Sequence, residues 1–148
     1  MTNNGAPLPM IRGLNRVSIG GCGRTGASIA TALCRPGRTV HILDSSVDAF
    51  NHLPRDIVRN GLLVPFLADI TLESDLRKTG VQDTDVFIAT AGSDPVNIMA
   101  AQIALHILDV NRVVCRLDDP VKRDLYEDLD LTIISHTEIL RDLALERL

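Results

Sequence analysis

The chain has 148 residues, the length of one domain, and its 15 basic and 19 acidic residues leave a formal net charge of −4. No block of like charge interrupts it, which speaks against a nucleic-acid footprint. Few aromatics beside abundant Ile, Leu, Val and Ala suit strands covered by helices on both faces.

Residues 1–14 are polar, carry Pro and Gly, and are expected to form a flexible lead-in without a signal-peptide pattern. A strand is expected at 16–20. Four glycines then fall within seven residues, Gly20, Gly21, Gly23 and Gly26, before the small apolar residues of a helix. Further short, β-branched strands are expected at 39–43, 62–67, 85–90, 112–116 and 131–135. Between them, Asp94-Pro95 and Asp119-Pro120 each place a capping acid before a proline suited to a first helical turn. Ser45 with Asp48, and Ser135 with Glu138, have capping-box spacing. The segment 95–109 reads as one helix that is apolar almost all round. Its longest run without a charge, Pro95 to Leu108, is fourteen residues and too short to span a bilayer. A last helix is expected over 137–148, with Ile139, Leu140, Leu143, Ala144 and Leu148 largely on one side. Cys22, Cys34 and Cys115 lack metal-ligand spacing, which suggests reduced thiols in a cytosol.

Six strand-then-helix units in a row predict an α/β fold, a single Rossmann-like, doubly wound parallel sheet of six strands. The segment Gly21-Cys22-Gly23-Arg24-Thr25-Gly26 has G-x-G-x-x-G spacing. It follows a strand and opens a helix, and the second strand ends in Asp44, eighteen residues after Gly26. In that setting Gly21 permits the tight turn, Gly23 admits a pyrophosphate, and Gly26 lets helix and sheet close. The helix N-terminus presents unpaired N–H groups to the phosphates. Asp44 is placed to accept hydrogen bonds from a ribose. The same charge disfavours NADP, since Ser45-Ser46 rather than an Arg follows it.

These residues, with "LADITLESDLRKTGVQDTDVFIATAGSDPVNIMAAQIA", "VVCRLDDP" and "LYEDLDLTIISHTEIL", resemble the nucleotide-binding N-terminal (TrkA-N) domain of Trk/Ktr-type regulators, the RCK domains of potassium transport. The likeness runs from about Arg16 to Leu140. It implies strand order 3-2-1-4-5-6, a Rossmann-type unit over 15–136 and a dimerisation helix over 137–148. It also implies that NAD(H), ATP or ADP, with AMP a further candidate, binds this cleft. Members assemble as homodimers and octameric rings on the cytosolic side of a potassium channel or transporter subunit, with no membrane insertion of their own. The implied ligand-binding set is Gly21, Cys22, Gly23, Arg24, Thr25 and Gly26 in the turn, with Asp44 and Ser45 after the second strand. Asp69 and Ile70 join it after the third strand, and Ala91 and Gly92 after the fourth. Arg24 falls where some members point an arginine at terminal phosphates, and Glu127 matches an acid near a cation at the dimer contact. Where members usually read Gly-Asp-Ala-Thr, this chain reads Ala68-Asp69-Ile70-Thr71.

Blander roles stand beside these. Arg24 could be a solvated surface residue, Asp69 a cap for the next helix, Glu127 part of a charged helix face, and Cys22 a small turn residue. His41, His52, His106 and His136 are expected to be structural. No acid/base pair can be assigned, which favours a nucleotide sensor over an enzyme. The alternative is a small NAD-dependent oxidoreductase, or the cofactor-binding half of one.

Overall fold

In the computed structural model, which describes residues 13–127 and 129–148, six parallel strands form one sheet. They are β1 (Arg16–Gly20), β2 (Thr39–Asp44), β3 (Leu63–Leu67), β4 (Val86–Ala89), β5 (Val113–Arg116) and β6 (Thr132–Ile134). Their order is β3-β2-β1-β4-β5-β6, all parallel, as the family resemblance implies. The helices between them are α1 (Arg24–Leu33), α2 (Arg55–Arg59), α3 (Glu73–Lys78), α4 (Asp94–Gln102), α5 (Pro120–Tyr126) and α6 (His136–Glu146). Of the lead-in expected over 1–14, residues 1–12 lie outside the described part.

Alternation along each strand sends side chains to two cores. Val17, Ile19, Val40, Ile42 and Leu63 pack with Ala27 and Ala30 of α1. Leu43, Phe87, Ala89 and Cys115 pack with Leu76 of α3 and Ile98, Ala100 and Ala101 of α4. The sheet is thus covered on both faces, which is why its strands read as near-continuous apolar runs.

Helix starts follow the sequence in part. The Asp119 carboxylate accepts from Val121 N at 3.0 Å, and Ser135 Oγ accepts from Glu138 N at 3.2 Å, so both act as caps. Asp94 does not cap α4. Ser93 stands before that helix, and the Asp94 carboxylate reaches across to accept from Asp118 N at 3.1 Å and Asp119 N at 3.0 Å. Ser45 and Asp48 form no capping box. A 3₁₀ turn, Val47–His52, starts after Ser46, whose N–H is taken by the Asp44 carboxylate at 2.9 Å.

The single helix expected over 95–109 changes pitch. After α4 the chain makes a π-type turn, Ile103–Ile107, closed by Leu108 N donating to Ile103 O at 3.0 Å. Asp109 then takes φ +54°, a left-handed conformation that Asp tolerates better than most residues.

Candidate functional site

At the carboxyl ends of the strands lies an open cleft of about 770 Å³. It sits where the strand order reverses between β1 and β4, the place where open α/β sheets take their ligands. Gly21, Cys22, Gly23, Arg24 and Thr25 form one wall, Asp44 and Ser45 the next, and Asp69 and Ile70 the far corner. Ala91 and Gly92, after β4, line the opposite side. The structure therefore gathers eleven of the twelve expected binding residues around one space. Gly26 lies just behind it and acts on the shape of the wall.

The three glycines do different things. Gly21 has φ +106°, and a Cβ there would sit 2.7 Å from Ala91 N. A Cβ at Gly26 would meet Gly21 O at 1.9 Å, so only glycine lets α1 close on the turn. Gly23 has an ordinary φ of −78°, and a Cβ there would meet nothing within 4 Å. It is thus the one glycine of the turn with open space beside it, at the start of α1. That helix has no side-chain cap and no acid in its first turn. Its first N–H groups and the positive end of its dipole are free to meet an anion.

Asp44 holds the turn from the other side. One carboxylate oxygen accepts from Cys22 N at 2.8 Å and the other from Ser46 N at 2.9 Å. The Cys22 thiol is fully buried beside Asp44 and donates to Ala49 O at 3.4 Å. Burial, then the Asp44 charge, push it up to about 11, so it stays a thiol at neutral pH. Arg24 is exposed at the cleft mouth and no hydrogen bond or ion pair engages it among the described residues.

Asp69 caps its own loop: its carboxylate accepts from Thr71 Oγ1 at 2.6 Å and Thr71 N at 2.9 Å. Those bonds hold it below the usual carboxylate range. Ile70 turns most of its bulk inward; it is buried, and its Cδ1 would lie 3.0 Å from a Cβ at Gly20. Glu127 follows α5, exposed and away from the cleft. Among the described residues, no three His, Cys, Asp or Glu side chains gather as a metal site.

Several cleft residues carried no recognisable sequence signal. Thr90, at the end of β4, is buried and its Oγ1 has no hydrogen-bond partner among the described residues. Its spacing to the glycine turn exists only in three dimensions. His52 also lines the cleft, reached by the 3₁₀ turn that the capping-box reading did not foresee. Arg116, at the end of β5, faces the side formed by Ala91, Gly92 and Val96. Asn97 is wholly buried behind that side. Its side chain accepts from Ala91 N at 2.7 Å and donates to Ala91 O at 2.9 Å and Arg116 O at 3.1 Å. One amide thereby fixes the loop after β4 against the end of β5. Of the other histidines, His41 is structural as expected: it packs edge-on to Phe66 with centroids 4.9 Å apart and contacts Thr79 O.

The fold defines a Rossmann-type domain with an open cleft at its topological switch point. The chain belongs to the TrkA-N domain family, whose model matches residues 17–137. It is 31% identical to the Trk system potassium uptake protein TrkA of Streptomyces coelicolor, a match covering 89% of this chain and 57% of that protein. It spans about half the length of the curated relatives it matches. In fold it is similar to the TrkA-N domain of inner membrane protein ybaL from Escherichia coli. That match has a TM-score of 0.76 and 13% identity, and covers 91% of this chain and 97% of that one. It is also similar to a Shewanella denitrificans Kef C-terminal domain in its AMP-bound form. There the TM-score is 0.71 and the identity 22%, over 90% of this chain and 79% of that one.

Proposed function

We propose that this domain binds an adenine nucleotide in the cleft and reports its presence to a potassium channel or transporter subunit, without transforming the nucleotide. The observation that carries the reading is the open space at Gly23. It lies at the uncapped N-terminus of α1, with Asp44 fixed across the turn. That arrangement suits a phosphate on the backbone N–H groups and a ribose against the carboxylate. The orphaned Thr90 hydroxyl in the same wall is a further polar group that a ligand or an ordered water can satisfy.

The candidate ligands are NAD(H), ATP, ADP and AMP; the last is supported by the AMP-bound Kef neighbour. NADP is disfavoured, because Asp44 would face a 2′-phosphate. Within this frame Arg24 reaches toward terminal phosphates, while Asp69 and Ile70 bound the adenosine side. The partner is supported by the names of the relatives, and the domain works on the cytosolic face of the membrane through it. Among the described residues no helix is long and apolar enough to cross a membrane. A homodimer, or a ring built from dimers, is supported by the exposed apolar residues of α6, with Glu127 at a cation-bearing contact.

Calorimetric titration of the purified chain with NADH, NAD, ATP, ADP and AMP tests the binding reading. Saturable binding of at least one supports it, and the absence of heat with all five contradicts it. The rival reading, a small oxidoreductase or its cofactor half, requires turnover. Oxidation of bound NADH above background, abolished in Asp44→Ala, would favour that rival.

A further inference from the structure

The far side of the cleft, beyond the glycine turn, is formed by Thr90, Ala91, Gly92, Val96 and Arg116. Arg116 is the charged side chain among them. It is also already engaged: it meets Asp118 Oδ2 with Nε at 3.0 Å and a terminal nitrogen at 2.9 Å. The same Asp118 carboxylate accepts from His136 N at 3.2 Å and contacts His136 Nδ1 at 2.6 Å. His136 is the first residue of α6.

The rest of this junction is tied independently. The turn at residues 118–119 hangs by its backbone N–H groups from Asp94, and the Arg116 carbonyl is held by Asn97. Ser135 caps α6 through Glu138 N, and Glu138 pairs with Arg123 of α5. The Asp118 side chain is therefore not needed to build the turn. It joins a cationic wall of the cleft to the first turn of α6, beside the direct contact of the Arg116 guanidinium with His136 Nδ1 at 3.1 Å.

We propose that Arg116 serves two partners in exchange: Asp118, which seats the start of α6, and an anionic group of a ligand that extends past the glycine turn. This rests on the nucleotide reading above. A nucleoside monophosphate, anchored at Asp44 and the turn, ends before the far side. A nucleoside di- or triphosphate, or a dinucleotide, carries charge into it. Such a ligand draws Arg116 from Asp118 and loosens the first turn of α6; a monophosphate leaves the pair in place. Linkage makes the effect reciprocal, so breaking the Asp118 contact favours the extended ligands.

Two measurements on the full chain test this. In the first, amide hydrogen exchange at His136, Glu138 and Ile139 is followed without ligand. Asp118→Asn and Arg116→Gln are expected to speed it roughly two- to fivefold, the scale of a partly exposed ion pair. Unchanged exchange in both variants overturns the link to α6, whether or not any nucleotide binds. In the second, AMP, ADP, ATP and NADH are titrated into wild type and Asp118→Asn. The variant is expected to bind ADP, ATP or NADH about two- to fivefold tighter with AMP unchanged, and ATP or NADH, but not AMP, to speed exchange in wild-type α6. An equal gain for AMP overturns the exchange of partners and makes the effect one of general charge. Arg116→Lys, which keeps the charge but not the fork, should retain part of the selectivity. If AMP and the longer ligands alike fail to bind wild type, the nucleotide reading falls and the ligand half of this proposal with it, while the exchange result still decides the link to α6.

Discussion

The carboxylate of Asp44, at the end of β2, accepts a hydrogen bond from the backbone N–H of Cys22 at 2.8 Å, inside the glycine turn. The acid expected to hold a ribose also holds the loop expected to hold the phosphates. Asp44→Ala should therefore have two effects. Adenine ribonucleotide affinity should fall by about 1.5–3 kcal/mol, or roughly 10- to 100-fold, the scale of hydrogen bonds to a charged group. Thermal stability should fall as well, because Cys22 N and Ser46 N lose their acceptor. Calorimetry and melting curves on one preparation check both. Unchanged affinity with the fold intact removes Asp44 from the site.

Substitutions at two glycines of the turn should separate ligand binding from folding. Gly23→Ala adds a methyl to open space at a permissive φ, so the melting temperature should barely move while nucleotide affinity drops. Gly26→Ala drives a methyl to within 1.9 Å of Gly21 O, a backbone atom, and should cost about 3 kcal/mol or more of stability. Equal losses of stability in the two variants would refute this division.

Asn97 should prove a strong stability determinant without touching ligand. Its amide is wholly buried and satisfies three backbone groups at once. Asn97→Ala leaves those groups unpaired and opens a small cavity, for an expected loss of about 2–4 kcal/mol. Chemical denaturation measures it directly; a loss below about 1 kcal/mol contradicts the clamp.

Acid should weaken the fold in a window set by three carboxylates. Bonds from Thr71 hold Asp69 low, and those from Arg16 N and Asn15 N hold Asp85 low. At Asp118 burial pushes upward, but the bonds from His136 and Arg116 outweigh it and the net shift is down. A carboxylate held below its ordinary value near 3.8 binds fewer protons folded than unfolded. Its stabilisation is present above that value and is lost as pH falls through the lower, folded one. The melting temperature should hold down to about pH 5 and then decline toward pH 3, with a shallower decline in Asp85→Asn. A flat or rising profile in that window contradicts the assignment.

Self-association should run through α6. Ile139, Leu140 and Leu143 are 50, 65 and 37% exposed, and α5 adds Val121 and Leu125 at 68 and 71%. Apolar residues this exposed on adjoining helices suit a protein contact. Sedimentation at high micromolar concentration should show a dimer that Leu140→Lys disrupts. A wild-type monomer under those conditions refutes the contact.

The sheet was legible from composition and local pattern, because strands buried on both faces are apolar along their length and the turns between them are punctuated. Its order came from the family likeness. The glycine turn and Asp44 were legible because a phosphate-holding turn needs glycines at fixed spacing. Asp94 misled: its Asp-Pro pair looks like the cap at Asp119, yet its carboxylate satisfies the loop after β5, a partner 24 residues away. Thr90 and Arg116 were illegible for the same reason, since each gains its meaning from strands that meet only in the folded sheet. His136 reads as one of four scattered structural histidines, and the sequence carries no sign of its partner Asp118, 18 residues earlier.

The most direct test of the nucleotide site is a backbone amide NMR titration with ADP, read at every assigned residue. The largest shifts are expected at Gly21, Cys22, Gly23 and Arg24, with a second group at Ser45 and Ser46, and their loss in Gly23→Ala. Saturating ADP that leaves the glycine-turn amides unmoved, or that shifts residues away from the cleft instead, contradicts the site.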